Sequence, residues 1–531
     1  MISRAHSYMT TVGDLSRAAA KKWPQKTGLI CGETRLTWLE VNKRVNSLAH
    51  AIKDLGLSKG DRFAILELNC HRYVELFLAL AKIGVIAVPL NPRLAGKEMT
   101  YIINQSGAKG VSVGSRFKGI INEINSGLTE VKSIIGMGND HDYSLDYENL
   151  IDSYPDAEIY SDVEEKDLFR IVYTGGTTGL PKGVMCSHRA TMNYAVSMQA
   201  THRVVPSDVY CPFAGLSLAG APLLTFGYML LGCTQVAGIF EPQKALELIE
   251  KEKITATVMT PTMLIMIFDK ADYRKYDLSS LRQLQYGASP MPLPTLKKAM
   301  EVFKNSEFLQ IYGTTEGNLN TANLIQEEHV VKGPEKVLKR LPSIGREAYN
   351  VQMAILDEEG NEVPQGEVGE VVSRSSFVMD GYWKEPELTA EAFKYGWLHV
   401  GDMGYQDEDG YIYLVDRKKD MIITGGFNVY SKEVEDAIYK HPAVDEVAVI
   451  GVPDKTWGEA IKAIVRLKTG MEATGEEIIQ TSRNYIASYK VPKSIDFVDD
   501  FPRTALMKIQ KNILREKYWK GYDKRIHGGA D

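Results

Sequence analysis

Between Tyr173 and Gly183 the chain reads Tyr-Thr-Gly-Gly-Thr-Thr-Gly-Leu-Pro-Lys-Gly. Glycine lets backbone N–H groups approach an anion with no Cβ in the way. The hydroxyls of Thr174, Thr177 and Thr178 add donors, and Lys182 adds a mobile positive charge. The chemistry these residues suit is a cradle for polyphosphate. A plain Gly/Thr-rich turn would need neither the threonines nor the lysine. A Walker loop needs G-x-x-x-x-G-K-[ST], and here Lys182 sits between Pro181 and Gly183, so that pattern fails. A second cluster, Tyr312-Gly313-Thr314-Thr315-Glu316, offers a ring that can stack on a purine, two hydroxyls for phosphate oxygens, and a carboxylate. That carboxylate can hold magnesium through oxygen. Taken alone, this segment would read as a surface turn with a solvated glutamate.

Both clusters follow strand-like runs. Leu168-Phe169-Arg170-Ile171-Val172-Tyr173 is β-branched and aromatic, and Leu309-Gln310-Ile311 precedes Tyr312. Upstream, Thr37 and Glu40 have capping-box spacing. Val41, Val45, Leu48, Ala49 and Ile52 then recur at helical spacing until Gly56. Strands are expected at 63–66 and 85–90 and a helix at 74–83. This β-α-β-α rhythm predicts an α/β fold with parallel sheet wrapped by helices. Beyond residue 345 the pattern turns mostly β, as in a small antiparallel subdomain. Residues 420–531 predict a compact α+β domain, with strands at 448–452 and 460–467 and a helix at 476–487. Ser431 is the expected N-cap of a helix running to Lys440.

Composition narrows the class. The chain has 531 residues, enough for roughly three or four domain equivalents. Hydrophobic content of 44% and charge of 24% are those of an ordinary globular protein. A net charge of −6 argues against general nucleic-acid binding. Cys31, Cys70, Cys186, Cys211 and Cys233 are scattered and form no CxxC pair, so neither zinc nor a disulfide framework is expected. A reducing, cytoplasmic setting fits. The opening Met1-Ile2-Ser3-Arg4-Ala5-His6 is followed by no apolar core, so no signal peptide is expected. Residues 213–233 are nearly all apolar or small, but Gly215, Gly220, Pro222, Gly227 and Gly232 interrupt them. A buried helix beside a ligand pocket is expected there, not an integral membrane segment.

The Tyr173–Gly183 stretch closely resembles the phosphate loop of the adenylate-forming superfamily, whose members include acyl-CoA synthetases, luciferase-like ligases and peptide-synthetase adenylation domains. The usual serine is replaced here by Gly175. Further motifs follow in the family's order and place the chain nearest the acyl-CoA synthetase branch. The resemblance implies that Thr174, Gly175, Gly176, Thr177, Thr178, Gly179 and Lys182 hold phosphates, with magnesium at Thr174 and Glu316. It places Gly287, Ala288 and Ser289 against the adenine and the acid's carboxylate, joined by Tyr312, Gly313, Thr314 and Thr315. Asp402, after Val400 where relatives have threonine, and Arg417 would hold the ribose. Lys419 is the implied hinge, Gly425 and Gly426 the implied CoA-side loop, and Lys508 the implied catalytic lysine, preceded by Met507 instead of glycine. The acyl pocket would start at Phe213, Ala214 and Gly215, the last replacing a gating histidine. A simple tight turn explains Gly215 as well as a widened pocket does.

The implied architecture is a large N-terminal domain of doubly wound sheets (1–415), a hinge (416–419) and a small mobile lid (420–531). The implied reaction has two steps. A carboxylate first attacks MgATP, giving acyl-AMP and pyrophosphate, with Lys508 bridging the reacting oxygens and Glu316 at the metal. A thiol then displaces AMP after the lid turns about Lys419. Segments 210–240 and 286–321 are expected to line the acyl pocket, with no lysine or arginine in either to pair a second carboxylate. A hydrophobic monocarboxylate follows: a medium- or long-chain fatty, aromatic or alicyclic acid. The partners expected are that acid, ATP, Mg2+ and coenzyme A; a homodimer is left open. Three rivals stand beside this reading: an enzyme loading a carrier protein, a luciferase-like oxidase, and a non-catalytic nucleotide-binding relative. The last would have lost its catalytic groups, yet Glu316, Asp402, Arg417 and Lys508 persist.

Overall fold

Strands with continuous apolar runs become central strands when both faces are covered, and this chain follows that rule. Ile86–Pro89 is buried at every position, and the helix His71–Ile83 beside it is buried almost all round. The computed structural model describes residues 11–174, 180–319, 321–425, 427–503 and 509–520. The protein is mixed α/β and divides into two compact units. Among the described residues, the first spans 11–174, 181–353 and 373–398, and the second spans 354–372 and 399–520.

The first unit carries two large sheets. One runs in space through Gly381–Tyr382, Lys182–Ser187, Leu168–Thr174, Ile86–Pro89, Arg62–Leu66, Ala108–Gly114, Ser133–Met137 and Leu145–Asp146. The other includes Val209–Pro212, Ala256–Met259, Gln283–Gly287 and Glu307–Tyr312 as consecutive parallel neighbours. The capping box forms as expected. Thr37 takes the Glu40 N–H, Glu40 takes the Thr37 N–H, and the helix Trp38–Asp54 buries Val41, Val45, Leu48 and Ile52. A smaller β sheet of five strands between Val351 and Arg417 forms as expected, most of its residues in the second unit, and Trp397–Gln406 pairs antiparallel with Ile412–Arg417.

The second unit builds a sheet from Phe427–Val429, Ile422–Thr424, Gly458–Leu467 and Val444–Asp454, with Ser494–Phe497 added in parallel. Alternate residues face opposite ways. Val447, Val449, Ile461 and Val465 pack with Val434, Ile438 and Ile478 from two helices. Ala448, Ile450 and Ile464 pack with Phe501 and Leu514 on the other face.

Two local expectations are corrected. In the apolar 213–233 stretch only Gly220–Leu230 is helical, because Phe213 to Ala219 is tied down as a turn. Among the described residues no helix is long and apolar enough to cross a membrane. Ser431 is not an N-cap but the first residue of the helix Ser431–Ile438. Its N–H goes to the Asp416 carboxylate, and its hydroxyl accepts from the Lys511 ammonium at 2.5 Å.

Candidate active site

In the first unit, Leu168–Thr174 and Lys182–Ser187 pair as an antiparallel hairpin that sets Thr174 opposite Lys182 and Tyr173 opposite Gly183. The base of the glycine loop is therefore fixed by a strand pair. Gly175, Gly176, Thr177, Thr178 and Gly179 lie outside the described residues. Gly183 is a packing glycine: a Cβ there would stand 2.8 Å from the Ile171 side chain.

Parallel strands Gln283–Gly287 and Glu307–Tyr312 end side by side, with Gly287 opposite Ile311. Ligand sites in α/β sheets gather at such carboxyl ends. A Cβ on Gly287 would lie 2.1 Å from the Ile311 carbonyl oxygen, so glycine is required by the neighbouring strand. Ala288 follows with φ +68°, a left-handed conformation just past the strand end. Gly313 is equally constrained, because a Cβ would fall 1.1 Å from the Leu319 carbonyl oxygen. The turn after it is tightly bonded. Thr314 Oγ1 accepts the Gly317 N–H at 3.0 Å, and the Leu319 N–H donates to the Thr314 carbonyl at 3.0 Å. Asn318 and Leu319 both have positive φ. Fully buried Asn318 donates to the Phe377 carbonyl and accepts from the Cys186 thiol at 3.2 Å, which holds the turn in that shape.

Tyr382 joins the two clusters. Its hydroxyl donates to Glu316 Oε1 at 3.0 Å, and the Lys182 ammonium stands 5.9 Å from its ring centre. Burial, then the Glu316 charge, pushes the Tyr382 hydroxyl well above its ordinary pKa, so it stays a donor. Glu316 and Thr174 supply only oxygen. Oxygen is the donor type that Mg2+ takes, with few protein ligands and a shell completed by water and phosphate.

The acyl-side turn is held by Asn69. Its amide donates to the carbonyls of Pro212, Ala214 and Gly238 at 2.9, 3.0 and 3.1 Å, and its oxygen accepts the Leu216 N–H at 2.7 Å. The Leu218 N–H closes on the Gly215 carbonyl at 3.0 Å, and a Cβ on Gly215 would make ordinary contacts. Phe213 is buried edge-on to Phe240. The expectation of no lysine is corrected for segment 286–321, which contains Lys297, Lys298 and Lys304. Lys298 is on the helix Leu293–Val302 and lies over the Phe268 ring at 4.8 Å.

In the second unit, Asp402 and Arg417 are direct partners across adjacent strands, with Arg417 Nε 2.6 Å from Asp402 Oδ1. A carboxylate has lone pairs enough to keep this contact and also accept a diol. Lys419 lies in the short 3-10 turn Lys418–Asp420. Burial, then the Arg417 charge, holds its amine below the usual lysine value. Arg515 donates to Asp420 Oδ1 at 2.8 Å and reaches the Lys419 carbonyl at 3.5 Å. Gly425 has φ +57° and donates to the Trp457 carbonyl at 2.8 Å; a Cβ would meet the Trp457 ring at 2.7 Å. Gly426 and Lys508 lie outside the described residues. Arg503 and Ile509, which flank the Lys508 segment, form an antiparallel bridge.

Three residues escaped the sequence reading: Asn69, Asn318 and the hydroxyl of Tyr382. Only Tyr382 left a signal, in the Gly381-Tyr382-Trp383 tripeptide.

A family profile for AMP-binding enzymes matches residues 16–383, and a profile for the C-terminal domain of these enzymes matches residues 433–508. The chain is 33% identical to a medium/long-chain fatty acid–CoA ligase of Mycobacterium tuberculosis, over 97% of this chain and 91% of that one. It is 31% identical to a fatty acid–acyl-carrier-protein ligase of Streptomyces coeruleorubidus, over 98% and 99%. Its fold matches the crystal structure of an anthranilate CoA ligase in complex with anthranoyl-AMP. There the TM-score is 0.85 at 27% identity, covering 96% of this chain and 97% of that chain.

Proposed function

The chain belongs to the AMP-binding enzymes of the adenylate-forming superfamily, in the AMP-forming acyl-CoA synthetase branch, and from that premise we propose how its own residues divide the work. The reaction is acid plus ATP plus CoA to acyl-CoA, AMP and pyrophosphate. The acid is a hydrophobic monocarboxylate of the fatty, aromatic or alicyclic kind. The observation that carries this reading is the convergence of Lys182, Tyr382 and Glu316 at the strand ends that also carry Gly287 and Tyr312.

Thr174, Lys182 and the loop between them receive the β- and γ-phosphates. Tyr312 and the Gly287-Ala288-Ser289 turn flank the adenine. Thr315 donates to the α-phosphate. Mg2+ belongs at Glu316 and Thr174, where it would offset phosphate charge. Asp402 accepts from the ribose diol while Arg417 keeps the carboxylate aimed. Lys508 stabilises the charge that gathers between acid and α-phosphate, a matter of positioning and electrostatics. The 416–419 segment is the hinge, residues 420–531 act as the lid, and Gly425 with Gly426 forms the CoA side of the second step. Five free, separated cysteines support a reducing, cytoplasmic location.

The similarity to a carrier-protein ligase favours one second reading, in which the thiol belongs to a carrier protein. Pyrophosphate release should be measured with MgATP across fatty, aromatic and alicyclic acids, with and without CoA. Release sustained only when CoA is present supports the ligase. Release indifferent to CoA, yet sustained by a pantetheine-bearing carrier protein, replaces it with the second reading.

A further inference from the structure

We infer that the acyl end of the site stops at a buried polar wall made by Tyr210, Tyr228, Gln283 and Gln285, so that the acid is compact. An aromatic, alicyclic or short- to medium-chain aliphatic monocarboxylate fits this wall; a long-chain one does not. The inference rests on the acid-ligase reading and on segment 210–240 lining the acyl pocket.

The strands Val209–Pro212, Ala256–Met259 and Gln283–Gly287 lie side by side. Tyr210 is level with Ala256, Ala256 with Gln283, and Val258 with Gln285. Residues two apart share a face. Tyr210, Gln283 and Gln285 therefore line one face of the sheet, running back from the ends that carry Gly215 and Gly287. The helix Gly220–Leu230 covers that face. Its first residue packs on Leu319 of the turn after Glu316, where a Cβ on Gly220 would stand 2.9 Å from the leucine side chain. Leu223 and Leu224, then Tyr228, follow down the helix one turn apart, all buried. A chain that enters between helix and sheet from the reactive end meets leucine first and Tyr228 next.

Tyr228 closes the layer. Its ring stacks on Tyr210 with centroids 4.0 Å apart and planes at 7°. Its hydroxyl donates to Gln283 Oε1 at 3.1 Å and accepts from Gln285 Nε2 at 2.7 Å. Gln285 Nε2 also reaches Gln283 Oε1 at 2.9 Å, and Gln283 donates to the His202 carbonyl at 2.9 Å. Helix and sheet are thus bonded to each other across the layer between them. At the strand rise, Gln285 is about 7 Å and Gln283 about 13 Å behind Gly287. A ring or a short tail ends before this network. A long tail must part the ring stack and strip buried amides and a hydroxyl of their partners. Unpaired buried polar groups are costly enough to discriminate on the order of 10- to 100-fold.

The test uses the full chain and two readouts. The first is the affinity of non-reactive acylsulfamoyl adenosines carrying benzoyl, cyclohexanecarbonyl, hexanoyl, decanoyl and palmitoyl groups. The second is kcat/KM for CoA-ester formation from the same acids. The native protein is expected to bind the palmitoyl analogue at least about 10-fold more weakly than the hexanoyl one. Tyr228→Ala is expected to narrow or reverse that ratio, and Tyr228→Phe, which keeps the stack, to narrow it less. Equal affinity for palmitoyl and hexanoyl analogues in the native protein overturns the wall. So does an unchanged ratio in a Tyr228→Ala protein that melts normally; should that variant not fold, Tyr228→Phe and the native length profile decide. A length cut-off in binding with no CoA ester formed from any acid would keep the wall and remove the CoA-ligase reading. Failure of every analogue to bind would remove both.

Discussion

Replacing Tyr382 with phenylalanine isolates one hydrogen bond in the site. The tyrosine is placed by the pairing of Gly381–Tyr382 with Lys182–Ser187, which sets it opposite Val184, and by its N–H bond to Thr389 Oγ1 at 2.9 Å. Phenylalanine keeps that backbone and the ring beneath Lys182. What disappears is the 3.0 Å bond to Glu316 Oε1. Hydrogen bonds to charged groups contribute roughly 1.5–3 kcal/mol. Glu316 is only half-buried, so water can replace the lost donor and the low end applies. A loss of about 1–2 kcal/mol corresponds to roughly 5- to 30-fold in the rate constant for adenylation. The assay is acid-dependent exchange of pyrophosphate into ATP across a magnesium titration. Because the bond orients the carboxylate assigned to the metal, the variant should need more Mg2+ and recover part of its rate when Mg2+ saturates. Thioester formation from supplied acyl-AMP should change little. Exchange within twofold of the native protein at every Mg2+ concentration would refute the reasoning, as would equal losses in both half-reactions.

Two further outcomes follow from the same assignments. Lys508→Ala should lower adenylation by roughly 100- to 1000-fold, or ~3–4 kcal/mol, while sparing thioester formation from acyl-AMP; equal damage to both steps would end that division of labour. His188, His202 and His329 are buried in the first unit, and burial lowers their pKa values to about 4, about 3 and about 4 from 6.5. Between pH 6.5 and about 4 the unfolded chain binds their protons and the folded chain does not, so stability should fall with falling pH by up to ~1.4 kcal/mol per pH unit for each histidine. Melting temperatures between pH 8 and 5 measure this, and a flat profile below pH 6.5 would count against neutral, buried imidazoles.

What the sequence disclosed is the part of the structure that short spacings determine. Thr37 and Glu40 are three residues apart, and their capping box forms as read. Leu168–Thr174 carries its own apolar pattern and becomes a strand of the large sheet. Ser431 was misread for the complementary reason. A hydroxyl before a helical pattern looks like a cap, but the Asp416 carboxylate, fifteen residues earlier, takes the N–H. No local pattern encodes that choice, because it depends on where the preceding strand leaves Asp416.

The glycines sharpen the distinction. The resemblance places Gly287 and Gly313 beside the nucleotide, yet a Cβ at either would first strike the protein's own backbone, at Ile311 and Leu319. Their presence in the motif is therefore required by the turn even before a ligand arrives. The turn in turn presents Thr315 and Glu316 with little freedom left to lose on binding, which is how a site gains catalytic power from positioning. A motif can consequently be legible as chemistry while its glycines act through architecture. The residues that complete it, Tyr382 on Glu316 and Cys186 on Asn318, come from 66 and 132 positions away. A single chain read in order has no means of pairing them, since only the sheet order brings those segments together.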